Sequence, residues 1–575
     1  MRKSTLAALG ATALVAAALA GPAGATSAES AGATSTSAGQ TSTATSYLVL
    51  VKKGASISGV VTDLKAIGAK VTSVNEAIGL VRVTSRDSAF RTHGKVAGVQ
   101  GVAADRTIGS APVRKPRAIE QVHLKAAKGK GGAATATKVS RAGDPLDSNL
   151  WGMRMVKADQ AHQITTGSKK VRVGVMDTGV QADHPDIHPN FDYKLSRNFV
   201  TDLPSVDGPC EHASCVDPVG EDDGGHGTHV SGTIAASLNG FGVSGVAPGV
   251  DIVEVRAGQD SGFFFAGPTL DALTYSGDAG LDVVNMSFYV DPWLYNCVGG
   301  APEDTPAQAN DQNLIIASMT RALDYAHSKG VTLFAAAGND HTDLANPGTD
   351  LTSPDFGEPT HPRTINNDSC YDLPTEGPHV LGVTALGPST TKADYSNWST
   401  EPQSGEVEVS APGGWFRDGF GTPSFRTPEN EVLSTVPLVT VQETGEVDQN
   451  GDVTPLGETN GVKKECQAKP AKGTTKCGYF AFFQGTSMAT PHAVGVAALA
   501  ISAHGRQGHG GFGMSPNAVR DLVMDSATNH ACPAGGTQSY IREGRDATWT
   551  AECEGSLDLN GFYGDGIVNA LGVVR

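Results

Sequence analysis

From Ala493 to Ile501 the chain reads Ala-Val-Gly-Val-Ala-Ala-Leu-Ala-Ile, a run without one polar side chain. At helical spacing such a run offers no face to water, so the helix must be covered on every side and lies centrally. Ser487 starts it, and Pro491 is tolerated in the first turn, where a missing N–H breaks no bond. From Asp144 onward, strand-like apolar runs alternate with helix-like segments. That order predicts an α/β body with a doubly wound, mostly parallel sheet and helices on both faces.

The chain has 575 residues, more than the roughly 250–300 at which one hydrophobic core stops growing. Several segments are therefore expected. Residues 1–25 read as a secretory signal: Arg2 and Lys3, an apolar stretch from Leu6 to Ala20, and Ala23-Gly24-Ala25 as a small-residue cleavage pattern. This stretch is short and Ala-rich, and no later segment approaches about 20 apolar residues. The expectation is a secreted, extracellular, soluble product without a stable membrane anchor. Residues 26–45, almost all Ala, Gly, Ser and Thr, form a spacer unable to bury a core.

Residues 46–109 suit a small α+β domain. Tyr47 to Val51 reads as a strand, and Ile57, Val60, Val61, Leu64 and Ile67 recur at helical spacing. Gly79 to Thr84 reads as a strand, about Ser85 to Val96 as a weaker helix, and Val99 to Ala103 closes the set. The order fits a ferredoxin-like β-α-β-β-α-β unit. Residues 110–143 form a basic linker; over 106–141 nine basic residues stand against one acid, interrupted by Gly129, Gly131 and Gly132. Exposed linkers of this composition are where nicking concentrates, so a processing site is expected there. The body, 144–575, is too long for one compact core. Stretches near 341–379 and 415–478 read as insertions elaborating its surface, with Asn450-Gly451 as a hairpin turn.

Charge divides along the chain. Residues 1–143 hold 19 Lys and Arg against 6 Asp and Glu, and the remainder holds 24 against 54. A basic leading piece and an acidic body attract one another. The same charges also serve solubility, and the acidic body disfavours nucleic-acid binding. The eight cysteines all lie from Cys210 onward and include no Cys-x-x-Cys pair, which weakens zinc and thiol-redox readings. In an exported chain an even count suggests disulfides. Pairing neighbours gives Cys210–Cys215, Cys466–Cys477 and Cys532–Cys553, leaving Cys297 for Cys370.

Three segments carry chemistry. In Gly174-Val175-Met176-Asp177-Thr178-Gly179, a short apolar strand ends at a carboxylate, where open α/β sheets bind ligands. In Gly225-His226-Gly227-Thr228-His229, an imidazole stands at the start of a helix reaching about Ser237. His226 and His229 invite a metal reading, but the His-Glu-x-x-His pattern is absent. In Gly485-Thr486-Ser487-Met488-Ala489, a hydroxyl is presented at the amino end of the buried helix, near backbone N–H groups. Taken singly, each residue is as well explained as a turn or helix cap. Together and in this order, they specify a carboxylate to orient an imidazole, an imidazole to move a proton, and a nucleophile.

These segments resemble the aspartate, histidine and serine signatures of the subtilisin-like serine proteases, in that family's order Asp…His…Ser. The resemblance covers roughly residues 144–575, outside the two insertions. It implies a secreted serine endopeptidase made as an autoprocessed precursor, with Asp177, His226 and Ser487 as catalytic residues and His229 as a packing residue. Leu333 to Asn339 resembles the segment whose asparagine stabilises the oxyanion, which assigns that role to Asn339 beside the Ser487 N–H. Asp282 to Ser287 resembles the strand that pairs with extended peptide; Ser287, Phe288, Ala336, Ala337 and Gly338 are the implied substrate contacts. The family commonly has a small residue two places after that serine, whereas Phe288-Tyr289 follows here. No acid stands out in these pocket segments, so apolar or broad preference is expected. The small N-terminal domain resembles the family's inhibitory propeptide.

No cofactor is expected for catalysis, but a structural calcium is plausible. Asp186 and the loop Ser237 to Val243 resemble the family's ligand segments, offering the Asn239 side chain and backbone oxygens of Ser237, Phe241 and Val243, an all-oxygen set suited to calcium. The expected partners are protein or peptide substrates and the chain's own propeptide as an intramolecular inhibitor, and the chain is expected to be a monomer. Two rival classes are a binding protein that has lost catalysis, disfavoured by the intact trio, and an esterase, disfavoured by the absence of Gly-x-Ser-x-Gly.

Overall fold

In the N-terminal region, four short strands alternate apolar residues between two cores. The computed structural model describes residues 44–105, 143–355, 359–508 and 511–575; the signal and almost all of the spacer and linker read from the sequence lie outside these residues. Strands β1 (Thr45–Val51), β2 (Lys70–Asn75), β3 (Leu80–Ser85) and β4 (Val99–Ala104) form an antiparallel sheet ordered β2-β3-β1-β4. Helix α1 (Ile57–Ala66) starts where the Ser56 side chain accepts the Gly59 N–H, and its Val60 and Leu64 are buried one turn apart. Tyr47, Val49 and Val51 pack with Val60 and Leu64, whereas Leu48, Leu50 and Leu80 face the body of the protein. Strand β2 was not singled out by sequence because it is a polar edge strand exposing every other residue. The helix expected over about Ser85–Val96 is a single turn, Phe90–His93.

The body is built on seven parallel strands: β5 (Arg172–Met176), β6 (Arg197–Asn198), β7 (Asp251–Arg256), β8 (Val283–Met286), β9 (Thr332–Ala336), β10 (Val380–Leu386) and β11 (Val409–Pro412). Their order is β11-β10-β9-β8-β5-β7-β6. The chain therefore leaves β5 toward one edge and returns to build toward the other, which opens a crevice at the carboxyl end of β5. Helices α2 (His226–Ala235), α3 (Ala266–Asp278), α4 (Pro306–Ser328) and α5 (Thr486–His504) cover the sheet. Period-two alternation sorts the strands: Val173, Val175 and Phe334 join the core of α2 and α5, while Met176, Val284 and Leu333 join that of α3 and α4. Every residue of α5 from Thr486 to Ile501 is buried, as its all-round apolarity demands.

The small sheet rests on α3 and α4. Leu48, Leu50 and Leu80 share a core with Leu270, Leu273, Leu314 and Ile315. Arg321 donates to the carbonyls of Val51 (2.9 Å) and Ile78 (2.8 Å). Arg82 pairs with Asp271 and Arg91 with Asp311. The charge division thus reaches this contact as two ion pairs beside an apolar interface.

The segment 415–478 is not wholly a surface elaboration. Strand β12 (Val432–Val436) is buried throughout and pairs antiparallel with β14 (Cys477–Phe483), whose other edge carries β13 (Lys463–Cys466). The apolar content of β12 places it against α2, and the exposed elaboration is the stretch between β12 and β14. All eight cysteines form disulfides, Cys210–Cys215, Cys297–Cys370, Cys466–Cys477 and Cys532–Cys553, the neighbour pairing. Among the described residues no helix is long and apolar enough to cross a membrane.

Candidate active site

Asp177 follows β5 directly and is fully buried. Its Oδ1 accepts from His226 Nδ1 at 2.7 Å and from the Thr178 N–H at 2.8 Å. Burial pushes the Asp177 carboxyl up, and the paired imidazole pulls it down. The His226 side chain is 22 % exposed, so it faces the crevice while its carboxylate partner does not. Close approach of β5 and α2 requires Gly227: a Cβ there would lie 2.1 Å from the Gly179 carbonyl and 2.9 Å from Asp177 Cβ.

Sequence reasoning missed the residue that ties these pieces together. Asp222 is almost fully buried just before α2. One carboxylate oxygen accepts from the Gly225 N–H (2.8 Å) and Thr178 Oγ1 (2.9 Å), the other from the Thr228 N–H (2.9 Å) and Oγ1 (2.6 Å). It satisfies first-turn donors of α2 that Gly225 cannot cap. Through Thr178 it joins the end of β5 to the start of α2. Its signal was an acid shortly before a helix lacking a capping side chain.

Ser487 is the second residue of α5, which packs against α2. Its Oγ donates to the Ser287 carbonyl at 3.3 Å, and Ser287 Oγ donates to the Ser487 carbonyl at 3.1 Å. The nucleophile candidate therefore sits beside the end of β8, where Ser287 and Phe288 were expected to meet substrate. Ala336 ends the neighbouring strand β9, and Ala337, Gly338 and Asn339 follow it. The Asn339 carboxamide oxygen accepts from the Thr486 N–H (2.8 Å) and Oγ1 (3.0 Å), which leaves its Nδ2 as the donor for a ligand. Thr486 Oγ1 also accepts from the Gly338 N–H at 3.2 Å. Thr486, not singled out from the sequence, thus anchors the oxyanion candidate to the nucleophile's own helix.

His229 is fully buried and stacks on Phe483 with ring centroids 4.3 Å apart. Its Nε2 lies 3.1 Å from the Val432 carbonyl and 3.2 Å from that of Ala481, so that nitrogen carries the proton. Burial, aided by the charge of His226, lowers it to about 3. It is a neutral strut between α2, β12 and β14.

Of the proposed calcium ligands, Ser237, Asn239, Phe241 and Val243 share one loop, and Asp186 packs against it. Asp186 is fully buried, with Oδ1 accepting from Asn239 Nδ2 (3.2 Å) and Oδ2 from the Val243 N–H (3.0 Å). Asp144 and Glu465 accept from the Gly240 and Gly242 N–H groups of the same loop. Burial, with Asp144 and Glu465 nearby, holds the Asp186 carboxyl well above its usual range. Among the described residues no hydrogen bond reaches the carbonyls of Ser237, Phe241 or Val243, and no Lys or Arg pairs with these three acids. Carboxylates and bare carbonyls around one half-exposed loop are the kind of donors that suit a hard divalent cation.

The sequence model of the subtilase family (peptidase S8) matches residues 168–550. The chain belongs to the subtilase family. This subtilase is 26 % identical over 381 residues to subtilisin DY of Bacillus licheniformis, an alignment spanning 66 % of the chain and 91 % of that relative. Its fold is similar to the epidermin leader peptide processing serine protease of Staphylococcus aureus, with TM-score 0.59 and 18 % identity over 92 % of this chain and 98 % of that one. It is also similar to fervidolysin of Fervidobacterium pennivorans, a keratinolytic enzyme related to subtilisin, with TM-score 0.52 and 22 % identity over 92 % of this chain and 61 % of that one. Family membership makes the protein a subtilisin-type serine endopeptidase, a hydrolase of peptide bonds.

Proposed function

We propose that this subtilase cleaves peptide bonds through Asp177, His226 and Ser487, with Asn339 as oxyanion donor. The observation that carries this reading is the 2.7 Å bond from His226 to buried Asp177 at the mouth of the crevice. The bond orients the imidazole so that its other nitrogen accepts the Ser487 proton as Oγ attacks the scissile carbonyl. The oxyanion that forms is met by the Ser487 N–H and Asn339 Nδ2, and loss of one such donor in a subtilisin costs about 10²–10³ in turnover, a magnitude taken over from that relative. His226 then passes its proton to the departing amine, leaving an acyl-enzyme. Water, deprotonated by the same imidazole, releases the acid and restores Ser487. Extended substrate lies between the Ser287–Phe288 and Ala336–Gly338 segments.

The wider reading is a secreted preproprotein. Residues 46–109 serve as an intramolecular inhibitor whose linker the enzyme itself cuts, which the docking of the small sheet on α3 and α4 supports. Asp186, Asn239 and the carbonyls of Ser237, Phe241 and Val243 hold a calcium that stiffens the loop after α2 and takes no part in the chemistry.

Ser487→Ala is the test. The folded variant is expected to lose peptide hydrolysis and labelling by a serine-directed phosphonate, and its purified precursor to stay full length while wild type trims itself. Normal turnover by the pure variant would refute the assignment.

A further inference from the structure

We propose that Asp372 makes this enzyme select a Lys or Arg side chain on the acyl side of the cleaved bond. The proposal rests on the functional reading above and names its substrate class. The residue whose carbonyl meets Ser487 must lay its side chain between the end of β8 and the Ala336–Asn339 segment. Gly338, in that segment, has φ +97°, and a Cβ placed on it would lie 2.3 Å from Asn397 Nδ2 and 3.7 Å from Asp372 Oδ2. The absent side chain leaves the carboxylate next to the substrate's path. Thr375 Oγ1 donates to the Ala336 carbonyl at 2.7 Å, which fastens the Asp372 loop to the substrate strand.

The Asp372 carboxylate has nothing to hold it. The residue is 2 % exposed, and its Oδ1 is buried without a partner. Among the described residues no donor bonds and no cation pairs with either carboxylate oxygen. Asn397 Nδ2, also without a partner, lies on the same side of Gly338, but no bond joins it to Asp372. Glu376 is close, its carboxylate accepting the Asp372 N–H, and Asp340 follows Asn339 at the exposed rim. The fully buried guanidinium of Arg363 is committed to Asp304 and Asp350. A buried carboxylate with two further acids around it and no counter-charge is costly unless a cation reaches it. The ammonium or guanidinium of a bound substrate supplies that cation and the missing hydrogen bonds together.

The strand ends alone carry no acid, which is why they suggest apolar or broad preference. Asp372 comes from a segment read as an insertion, 34 positions beyond Gly338 in the chain.

The experiment measures kcat/KM for matched peptides that differ only in having Arg, Lys or Leu at the acyl-side position, with active sites counted by phosphonate labelling. Wild type is expected to favour Arg and Lys, and Asp372→Asn to lower the Arg-to-Leu ratio tenfold or more. The ratio is internal to each preparation, so partial misfolding leaves it intact. Benzamidine against wild type gives a reading that needs no variant: competitive inhibition well beyond that of neutral benzyl alcohol supports the proposal, and equal inhibition overturns it. A wild type that prefers Leu, or a ratio unchanged in Asp372→Asn, overturns the proposal while leaving the protease reading intact. An enzyme that neither cleaves any of the peptides nor takes the label overturns both.

Discussion

Arg256 and Asp372 occupy two acid-rich pockets of the same body, and they are satisfied in opposite ways. Around Arg256, a guanidinium only 1 % exposed reaches Asp217 (2.5 Å), Asp260 (2.7 Å) and Asp202 (3.4 Å). Arg363 repeats the device, bonding Asp304 at 3.0 Å and Asp350 at 2.9 Å with its plane over Trp293. Asp372 has Glu376 and Asp340 for company and no cation. In a body so rich in carboxylates, an internal arginine marks a structural pocket. A pocket that lacks one beside the catalytic groups is completed from outside.

The largest effect that tests this contrast is Arg256→Met. It strands three carboxylates around a vacated charge, so a loss of about 3–5 kcal/mol of stability is expected, read by urea unfolding. A loss below about 1 kcal/mol would erase the distinction between the pockets. Asp372→Asn should do the reverse. Burial, with Glu376 and Asp340 nearby, holds the Asp372 carboxyl well above its usual range. The native state then keeps a proton that the unfolded chain releases above about pH 4. Its contribution is whole in acid and is lost as the pH rises. The asparagine variant is expected to gain about 1–3 kcal/mol at pH 8 and little at pH 4, seen as a higher Tm only at the higher pH. A lower Tm at pH 8 would mean that the carboxylate is matched inside the protein after all. The smallest effect belongs to the exposed pair Lys464–Asp452 (2.9 Å). Asp452→Asn should shift stability by no more than about 0.5 kcal/mol, and a larger shift would show that burial is not what separates the three sites.

Much of this architecture is legible along the chain because it is local. An apolar helix that must be covered, strands ending in Gly and Asp, and the cysteine pairs 5 and 11 positions apart all report themselves over short stretches of chain. The candidate site is legible in the same limited sense. Asp177, His226, Asn339 and Ser487 stand out because each lies where a strand ends or a helix begins. What escaped the sequence is what long-range packing creates. Asp222 is signalled only by the want of a capping side chain at Gly225, Thr486 acts on Asn339 from 147 positions away, and β12 is buried against both β14 and α2. Strand β2 escaped for another reason: an edge strand of polar residues carries too little apolar pattern to separate it from a loop.

The double grip of Thr486, on the Gly338 N–H and the Asn339 carboxamide, couples the proposed nucleophile and the proposed donor to the substrate oxyanion to one rigid rod. Where α5 shifts, both travel together and their spacing survives. Small rearrangements of the surrounding loops can therefore retune which peptides are admitted without spoiling the alignment on which bond breaking depends.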